Sequence, residues 1–389
     1  MKIAIVGYGT AGQAAAIFLA RSGHAIEVFE RASELRPVGA GFLLQPTGLG
    51  VLAALGLDAQ ARERGARIER LYGDNARGRR VMDMRYAELA DAGHGLGMTR
   101  GTLFGLLHAA CAPLATIRTG LCIAAFGEDA RSLVDEAGAE HGPYDLIVVA
   151  DGSHSALRAR STLVARDPLY PWGAMWCLLP AEDWPHPHEL RQRYDGTHCM
   201  LGVLPVGRRP DRSGEWLTFY YSLPGAAVDA FDAAALAQLQ EVVARLWPQL
   251  AERTRSLADP AQLNRARYRD VVLTTPWRGR IVHIGDSAHG MSPQLGQGVN
   301  MALLDAQALA GALAAHADVA AALAAYARER RRHLAIYQAF SRWLTPLFQS
   351  ESRALAPLRD ACFHPFGRLP YAKTQMLKIL AGSKRSWWR

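Results

Sequence analysis

Three glycines spaced Gly7-x-Gly9-x-x-Gly12 follow a five-residue apolar stretch and open a run of helix-forming residues. Glycine in the first place allows the tight turn. In the second it lets the backbone approach a pyrophosphate, and in the third it lets the helix pack close to the strand. The N–H groups that open such a helix point at the phosphates. Glu30 stands at the end of the next apolar stretch, Ala25–Glu30. Its carboxylate suits an adenosine ribose hydroxyl and repels a 2′-phosphate. This chemistry is dinucleotide binding, and these residues fit FAD and NAD equally. A glycine fingerprint alone is a weak signal; the strand, the helix and the acid around it are what give it weight.

Two later stretches carry related chemistry. Asp151-Gly152-Ser153-His154-Ser155-x-x-Arg158 follows the apolar stretch Asp145–Ala150. A charged residue at the carboxyl end of a strand, followed by glycine, lies where open α/β sheets bind ligands; the plainer reading is a turn whose aspartate caps the next helix. Gly285-Asp286-Ser287-Ala288-His289 leads into Pro293-x-x-Gly296-Gln297-Gly298-Val299-Asn300. Asp286 can accept hydrogen bonds from a ribityl hydroxyl, and the glycines clear room for a flat ring. The next helix presents its N–H groups to whatever anionic atom lies there. Two glycine loops so far apart suggest one long cofactor held at both ends.

Other residues invite chemistry less strongly. His289 has the side chain of a general base, but more often such a histidine stabilises its loop. His186-Pro-His188 is a thin metal site, and surface histidines are the better reading. Alternation puts Phe219 and Tyr221 on one face of a strand and Tyr220 on the other. Either set can face substrate, and sheet packing explains them equally well.

These residues need elements to position them. The apolar stretches 2–6, 25–30, 145–150 and 280–284 read as strands, with helices over about 10–22, 98–110, 233–246 and 298–314. Residues 34–56 read as loop and then a short helix. From about Pro168 to Arg269 the texture shifts to Trp- and Tyr-rich alternation, which indicates an antiparallel sheet. Helical patterning returns after that and runs to about Leu347.

Composition narrows the class. The chain has 389 residues, half hydrophobic and 21% charged, a globular balance with room for two or so domains. No run of eighteen apolar residues appears, and no signal peptide is read at the start, so the cytoplasm is the expected location. The five scattered cysteines suggest unpaired thiols. The net charge of +8 is spread mainly over arginines without an aromatic-basic pattern, so no nucleic-acid partner is expected.

In order and spacing, the three motifs resemble the FAD-dependent aromatic hydroxylases, the para-hydroxybenzoate hydroxylase-like single-component flavin monooxygenases. The resemblance spans most of the chain and is weakest in the β-rich insertion. It implies an α/β chain (α+β overall), with a Rossmann-like FAD-binding domain interrupted by a β-rich substrate domain and followed by C-terminal helices. The implied division is 1–72, 98–165 and 275–325 for FAD, 73–97 and 166–274 for the substrate domain, and 326–389 for the helical segment. By resemblance Gly7, Gly9, Thr10, Ala11, Gly12, Glu30, Arg31, Arg100 and Asp286 hold FAD. Pro293, Gly296, Gly298, Val299 and Asn300 line the flavin ring, and Asp151 and Arg158 support cofactor and nicotinamide handling. The implied reaction reduces FAD with NADH or NADPH and delivers one oxygen atom of O2, through a flavin C4a-hydroperoxide, to an aromatic, phenolic or other hydrophobic small molecule. No side chain is required as catalytic acid; His289 and Pro293 are the candidates nearest the flavin. The chain departs from the family at Ser287 and at Gln45-Pro46-Thr47, and it lacks a halogenase Trp-x-Trp-x-Ile-Pro. A flavin-dependent reductase or dehydrogenase of the same fold, or a non-catalytic flavin sensor, are the alternatives. A monomer or homodimer is expected. The basic, Trp-containing tail reads as packed helix in preference to membrane contact, which stays as the alternative, because no long one-faced apolar stripe is evident.

Overall fold

The structure, a computed structural model, describes residues 1–35, 41–90, 93–161 and 163–387. Its organising element is a six-stranded sheet. Ile281–His283, Leu146–Val149, Lys2–Val6, Ala25–Glu30 and Thr116–Thr119 run parallel in that spatial order, and Trp277–Arg278 adds an antiparallel edge. Parallel strands covered on both faces must be apolar throughout. Here Ile3, Ile5, Val28, Val148 and Val282 pack under helices on one face. Ala4, Val6, Phe29, Ile147 and Val149 pack on the other, with Ile123 and Leu133 of a small three-stranded sheet. Each Val, Ile or Phe among them, fully buried, contributes about 1.5–3 kcal/mol.

The register decides where the chemistry sits. Val6 pairs with Val149 and Phe29, and Val149 pairs with His283. The strands therefore end at one level, and Gly7, Glu30, Asp151 and Gly285 emerge along the same carboxyl edge. Helices Thr10–Arg21 and Gly298–Ala315 start from that edge and pack against each other. Gly298–Ala315 is long and apolar enough to span a membrane, but 67% of it is buried inside the fold.

The β-rich part is a seven-stranded sheet in the order Asn264–Arg269, Leu169–Pro180, Glu215–Pro224, Cys199–Arg208, Glu189–Asp195, Arg70–Asn75, Arg80–Arg85. Arg70–Asn75 pairs along its whole length with Glu189–Asp195, so the expected break after residue 72 falls inside a strand of this sheet. One face is covered by helices Ala233–Leu246 and Pro248–Arg255. The other looks toward helix Val319–Phe348, helix Leu355–Phe366 and the first sheet's loops. A final helix spans Pro370–Leu380. Two segments differ from the sequence reading. Gly41–Leu44 is a strand rather than loop, and Gly95–Thr99 is a strand before the helix Arg100–Cys111. They pair with each other, and Gly41 N–H donates to Thr218 Oγ1 at 2.7 Å. Both strands are fixed by partners distant in sequence.

Candidate functional site

The first glycine loop is shaped by steric demands. Gly7 has φ +101°, and a Cβ there would lie 2.4 Å from the Ala150 carbonyl oxygen. A Cβ on Gly12 would meet the Gly7 carbonyl oxygen at 2.0 Å, so both positions exclude any side chain. Gly9 is different: nothing lies within 4 Å of its Cβ position. Gly9 therefore meets no packing need, and it stands at the N-terminus of Thr10–Arg21, the kind of place where helices receive phosphates. Thr10 and Ala11 form the first turn of that helix. Glu30 accepts the Tyr8 N–H at 2.8 Å and the Ala32 N–H at 2.9 Å, which fixes its carboxylate at the loop. Arg31 beside it is exposed, as is Arg100 at the start of its helix.

Arg158 joins the second motif to the third. Its side chain is buried, and its guanidinium donates to Asp167 Oδ2, to the carbonyls of Gly152 and Ser153, and across to the Ser287 carbonyl at 3.2 Å. Every direction of the fork is engaged, so Arg158 acts by positioning these loops. Asp151 remains available: its Oδ1 is buried without a partner among the described residues. Burial raises its carboxyl above the usual range, despite the Ser155 hydrogen bond and the nearby Arg158.

The third motif touches the first. Gly285 has φ +62°, and a Cβ there would lie 2.9 Å from Ala11 Cβ. Asp286 opens the short helix Asp286–His289 with its side chain exposed, and the Gly298 Cβ position is 3.8 Å from its Oδ1. His289 is buried, with Nε2 2.5 Å from Asp305 Oδ2. Asp305 also accepts the Gly285 N–H at 2.8 Å and Arg330 Nε at 2.7 Å. Burial pushes the Asp305 carboxyl up, but His289 and Arg330 outweigh it and hold it at about 2. Pro293–Leu295 forms a single 3-10 turn, closed by Gly296 in the left-handed region. Asn300 Oδ1 then accepts the Gln45 N–H at 2.8 Å, and its amide donates to the Gly296 carbonyl. Val299, half-buried, lies between them.

Orphaned polar atoms gather around this ring loop. Ser292 Oγ, Gln294 Nε2, Gln297 Oε1 and Gln45 Nε2 are all buried without a partner among the described residues. Buried polar atoms normally have partners, so these, like Asp151 Oδ1, are open to a polar ligand's hydrogen bonds. The open cradle at Gly9, the anchored Glu30 and the exposed Asp286 lie on the same sheet edge. These residues fit a long dinucleotide with a polar ring system at one end.

The substrate-facing expectation for Phe219 and Tyr221 needs correction. Both pack under helix Ala233–Leu246, with Leu236, Leu239 and Val243. Strand alternation puts Thr218, Tyr220 and Ser222 on the opposite face, where they meet Gly41, Phe348 and Gln349 respectively. There Trp176 and Tyr220 pair with ring centroids 4.9 Å apart, and Trp176 Nε1 donates to Tyr268 OH at 3.2 Å. Of the histidine pair, His188 Nδ1 contacts the Arg67 carbonyl and His186 contacts Arg191. No group suited to a metal ion occurs among the described residues.

A family model described as an FAD binding domain matches residues 1–341. The chain belongs to this family, the FAD-dependent aromatic hydroxylases. Aurachin C monooxygenase/isomerase of Stigmatella aurantiaca is 31% identical over 340 residues, covering 84% of each chain. The FAD-dependent urate hydroxylase of Klebsiella pneumoniae is 27% identical over 368 residues, covering 85% of this chain and 86% of the relative. Among solved structures, Klebsiella pneumoniae HpxO complexed with FAD and uric acid superposes with a TM-score of 0.82 at 21% identity, covering 97% of each chain. This FAD-dependent monooxygenase therefore has FAD as its cofactor, and the para-hydroxybenzoate hydroxylase-like fold is its architecture.

Sequence reasoning gave no site role to Asp305, Trp176 or Tyr268, and it noted Gln45 only as a departure from the family. Asp305 had one available signal, a lone acid inside an otherwise apolar helix. The others are defined by partners in distant segments.

Proposed function

We propose that this flavoprotein uses NADH or NADPH and O2 to hydroxylate an aromatic or otherwise hydrophobic small molecule at the seam between the two sheets. Bound FAD would supply the redox and oxygen-transfer chemistry. In this reading Gly7, Gly9, Thr10, Ala11 and Gly12 receive the pyrophosphate, Glu30 the adenosine ribose and Asp286 the ribityl chain, with Arg31 and Arg100 as cationic neighbours. Asp151 takes part beside them, and Arg158 positions its loop. The turn from Pro293 to Gly296 and the helix start at Gly298, Val299 and Asn300 flank the ring. The N–H groups opening that helix favour negative charge there. Trp176, Tyr220 and Tyr268 offer the substrate an aromatic wall, and the surrounding apolar packing excludes water. His289 holds its loop through Asp305 and moves no proton.

One observation supports this reading most: the open space at Gly9, the anchored Glu30, the unpartnered Asp151 Oδ1 and the exposed Asp286 lie along one carboxyl edge of the parallel sheet. The test is a screen of phenolic and heteroaromatic compounds for faster NAD(P)H oxidation by the purified yellow protein. Coupled oxygen consumption and a product heavier by one oxygen support the reading. Flavin reduction without oxygen transfer would move the assignment to a reductase. Failure of any tested compound and either nicotinamide to bleach the flavin anaerobically would refute it.

A further inference from the structure

The exposed apolar side chains of this protein are unevenly placed. Trp343, Leu358, Phe366, Leu369, Tyr371 and Trp387 are all exposed large hydrophobics, from 44% to 65%, and all lie in the C-terminal helical segment. On helix Leu355–Phe366 the exposed residues Leu358, Ala361, Cys362, Pro365 and Phe366 recur at three- and four-residue steps, which makes one continuous face. Ala356 and Arg359 are buried on the opposite side. Leu369 and Tyr371 continue the apolar surface across the turn into the last helix. The face is short, confined to a twelve-residue helix and the turn after it, and prolines and the break at Gly367 conceal it in the linear sequence.

Charge follows the same segment. Residues 326–389 contain thirteen Lys and Arg against three Asp and Glu, a net +10, whereas the whole chain carries +8. The rest of the chain is therefore slightly acidic. Of the three acids, Asp360 is occupied by Arg359 and Asn75. Arg353 and Arg368, exposed at the two ends of the apolar face, form no ion pair among the described residues. Beside the face lies a cavity of about 360 Å³ between strand Arg80–Arg85 and the last two helices, lined by Met82, Met84, Phe363 and Leu377, with Arg85 and Lys373 paired to Asp83 and Glu88 and Arg368 at its rim. The tail itself is not free to act: Lys384 is buried, and Trp387 packs on Phe340 and Trp343. Trp388 and Arg389 lie outside the described residues.

We propose that the apolar face of helix Leu355–Phe366, flanked by Arg353 and Arg368 and continued by Leu369 and Tyr371, seats the protein on an anionic lipid bilayer. Apolar side chains at the headgroup–acyl boundary with cations around them are the composition of an interfacial helix. Each cation near such a surface contributes about 1 kcal/mol. A second copy of the chain is the poorer occupant, because an isologous contact would set Arg353 and Arg368 of one copy against the same cations of the other.

The test is co-sedimentation of the FAD-loaded protein with vesicles of phosphatidylcholine alone and of phosphatidylcholine with phosphatidylglycerol. Binding is expected only with phosphatidylglycerol, weakening as salt rises. R353Q and R368Q should each lower the partition coefficient roughly fivefold, and the double variant L358E/F366E should abolish binding. Flavin content and melting temperature should stay unchanged in all of them, since the substituted groups are exposed. No binding to anionic vesicles by the parent protein overturns the proposal, as does equal binding by L358E/F366E. A concentration-dependent dimer that dissociates in L358E/F366E, without vesicle binding, also overturns it and gives the face to a second copy.

Discussion

Replacing Asp286 by alanine separates the cofactor-binding role of the third motif from its role in the fold. The Asp286 side chain is exposed and has no hydrogen-bond partner among the described residues. Its removal from the apoprotein should therefore change stability by no more than about 0.5 kcal/mol, as for most surface positions. If the carboxylate accepts a ribityl hydroxyl, the lost bond is to a charged acceptor, worth about 1.5–3 kcal/mol. FAD should then bind about 10- to 150-fold more weakly. Asn keeps an uncharged acceptor at the same reach and should stay within about tenfold of the parent. The assay is fluorescence titration of flavin-stripped protein with FAD, alongside the melting temperature of each apoprotein. The reasoning fails if Asp286→Ala binds FAD within about threefold of the parent. It fails equally if the apoprotein melts many degrees lower, because the residue would then serve the fold.

Three further outcomes follow from the same geometry. Gly9→Ala should leave the apoprotein's melting temperature unchanged and weaken FAD binding, because its Cβ enters open space; Gly12→Ala should yield little folded protein, because its Cβ would meet the Gly7 carbonyl oxygen at 2.0 Å. Burial and the nearby Arg158 hold His283 at about 4, below its ordinary 6.5. The unfolded chain thus takes up a proton that the native chain refuses, so this contribution to stability is full above pH 6.5 and is lost as pH falls toward 4. The amount is about 3 kcal/mol, and His283→Leu should flatten the melting-temperature profile across that window; an unchanged slope would refute the assignment. Asn300→Ala leaves the buried Gln45 N–H unpaired, which costs about 1–3 kcal/mol. Apoprotein stability and FAD affinity should fall together, as urea unfolding and FAD titration would show; loss of affinity alone would mean that Asn300 touches FAD and does not support the loop.

What was legible in the sequence is what depends on local rules. The strand–glycine–helix unit at 2–21, the acid at 30 and the strand ends at 149 and 283 follow from apolar runs and glycine placement, and parallel pairing then puts them on one edge. The segments that were misread depend on distant partners. Gly41–Leu44 becomes a strand by pairing with Gly95–Thr99, which no window of residues contains. Phe219 and Tyr221 illustrate a second limit. Alternation separates the two faces of a strand, but which face meets the helices is decided by the helix at 233–246, not by the strand. The seam residues Trp176 and Tyr268 lie on adjacent strands of the sheet, more than ninety positions apart in the chain, so their pairing could not be read before the sheet order was known.

The ring loop is not a self-contained unit, and that bears on what the C-terminal helices do. Asp305 gathers the Gly285 N–H, His289 and Arg330; Arg330 Nη1 lies 2.9 Å from His333 Nδ1, and His333 Nε2 lies 2.9 Å from the Gly382 carbonyl. A continuous chain of hydrogen bonds thus runs from the turn before Asp286 to the segment after the last helix. A second path runs in parallel, with the Gln297 amide donating to the Leu380 carbonyl at 2.7 Å and Thr47 Oγ1 to the Ala381 carbonyl. A buried carboxylate is costly unless it is paired and hydrogen-bonded, and Asp305 is satisfied only when Arg330 of the long helix is docked. The loop that would hold the flavin ring therefore takes its shape only with the C-terminal segment in place. That segment supports the ring loop from its inner side and presents the basic, apolar face from its outer side, so anything that seats on that face bears on helices packed directly against the site.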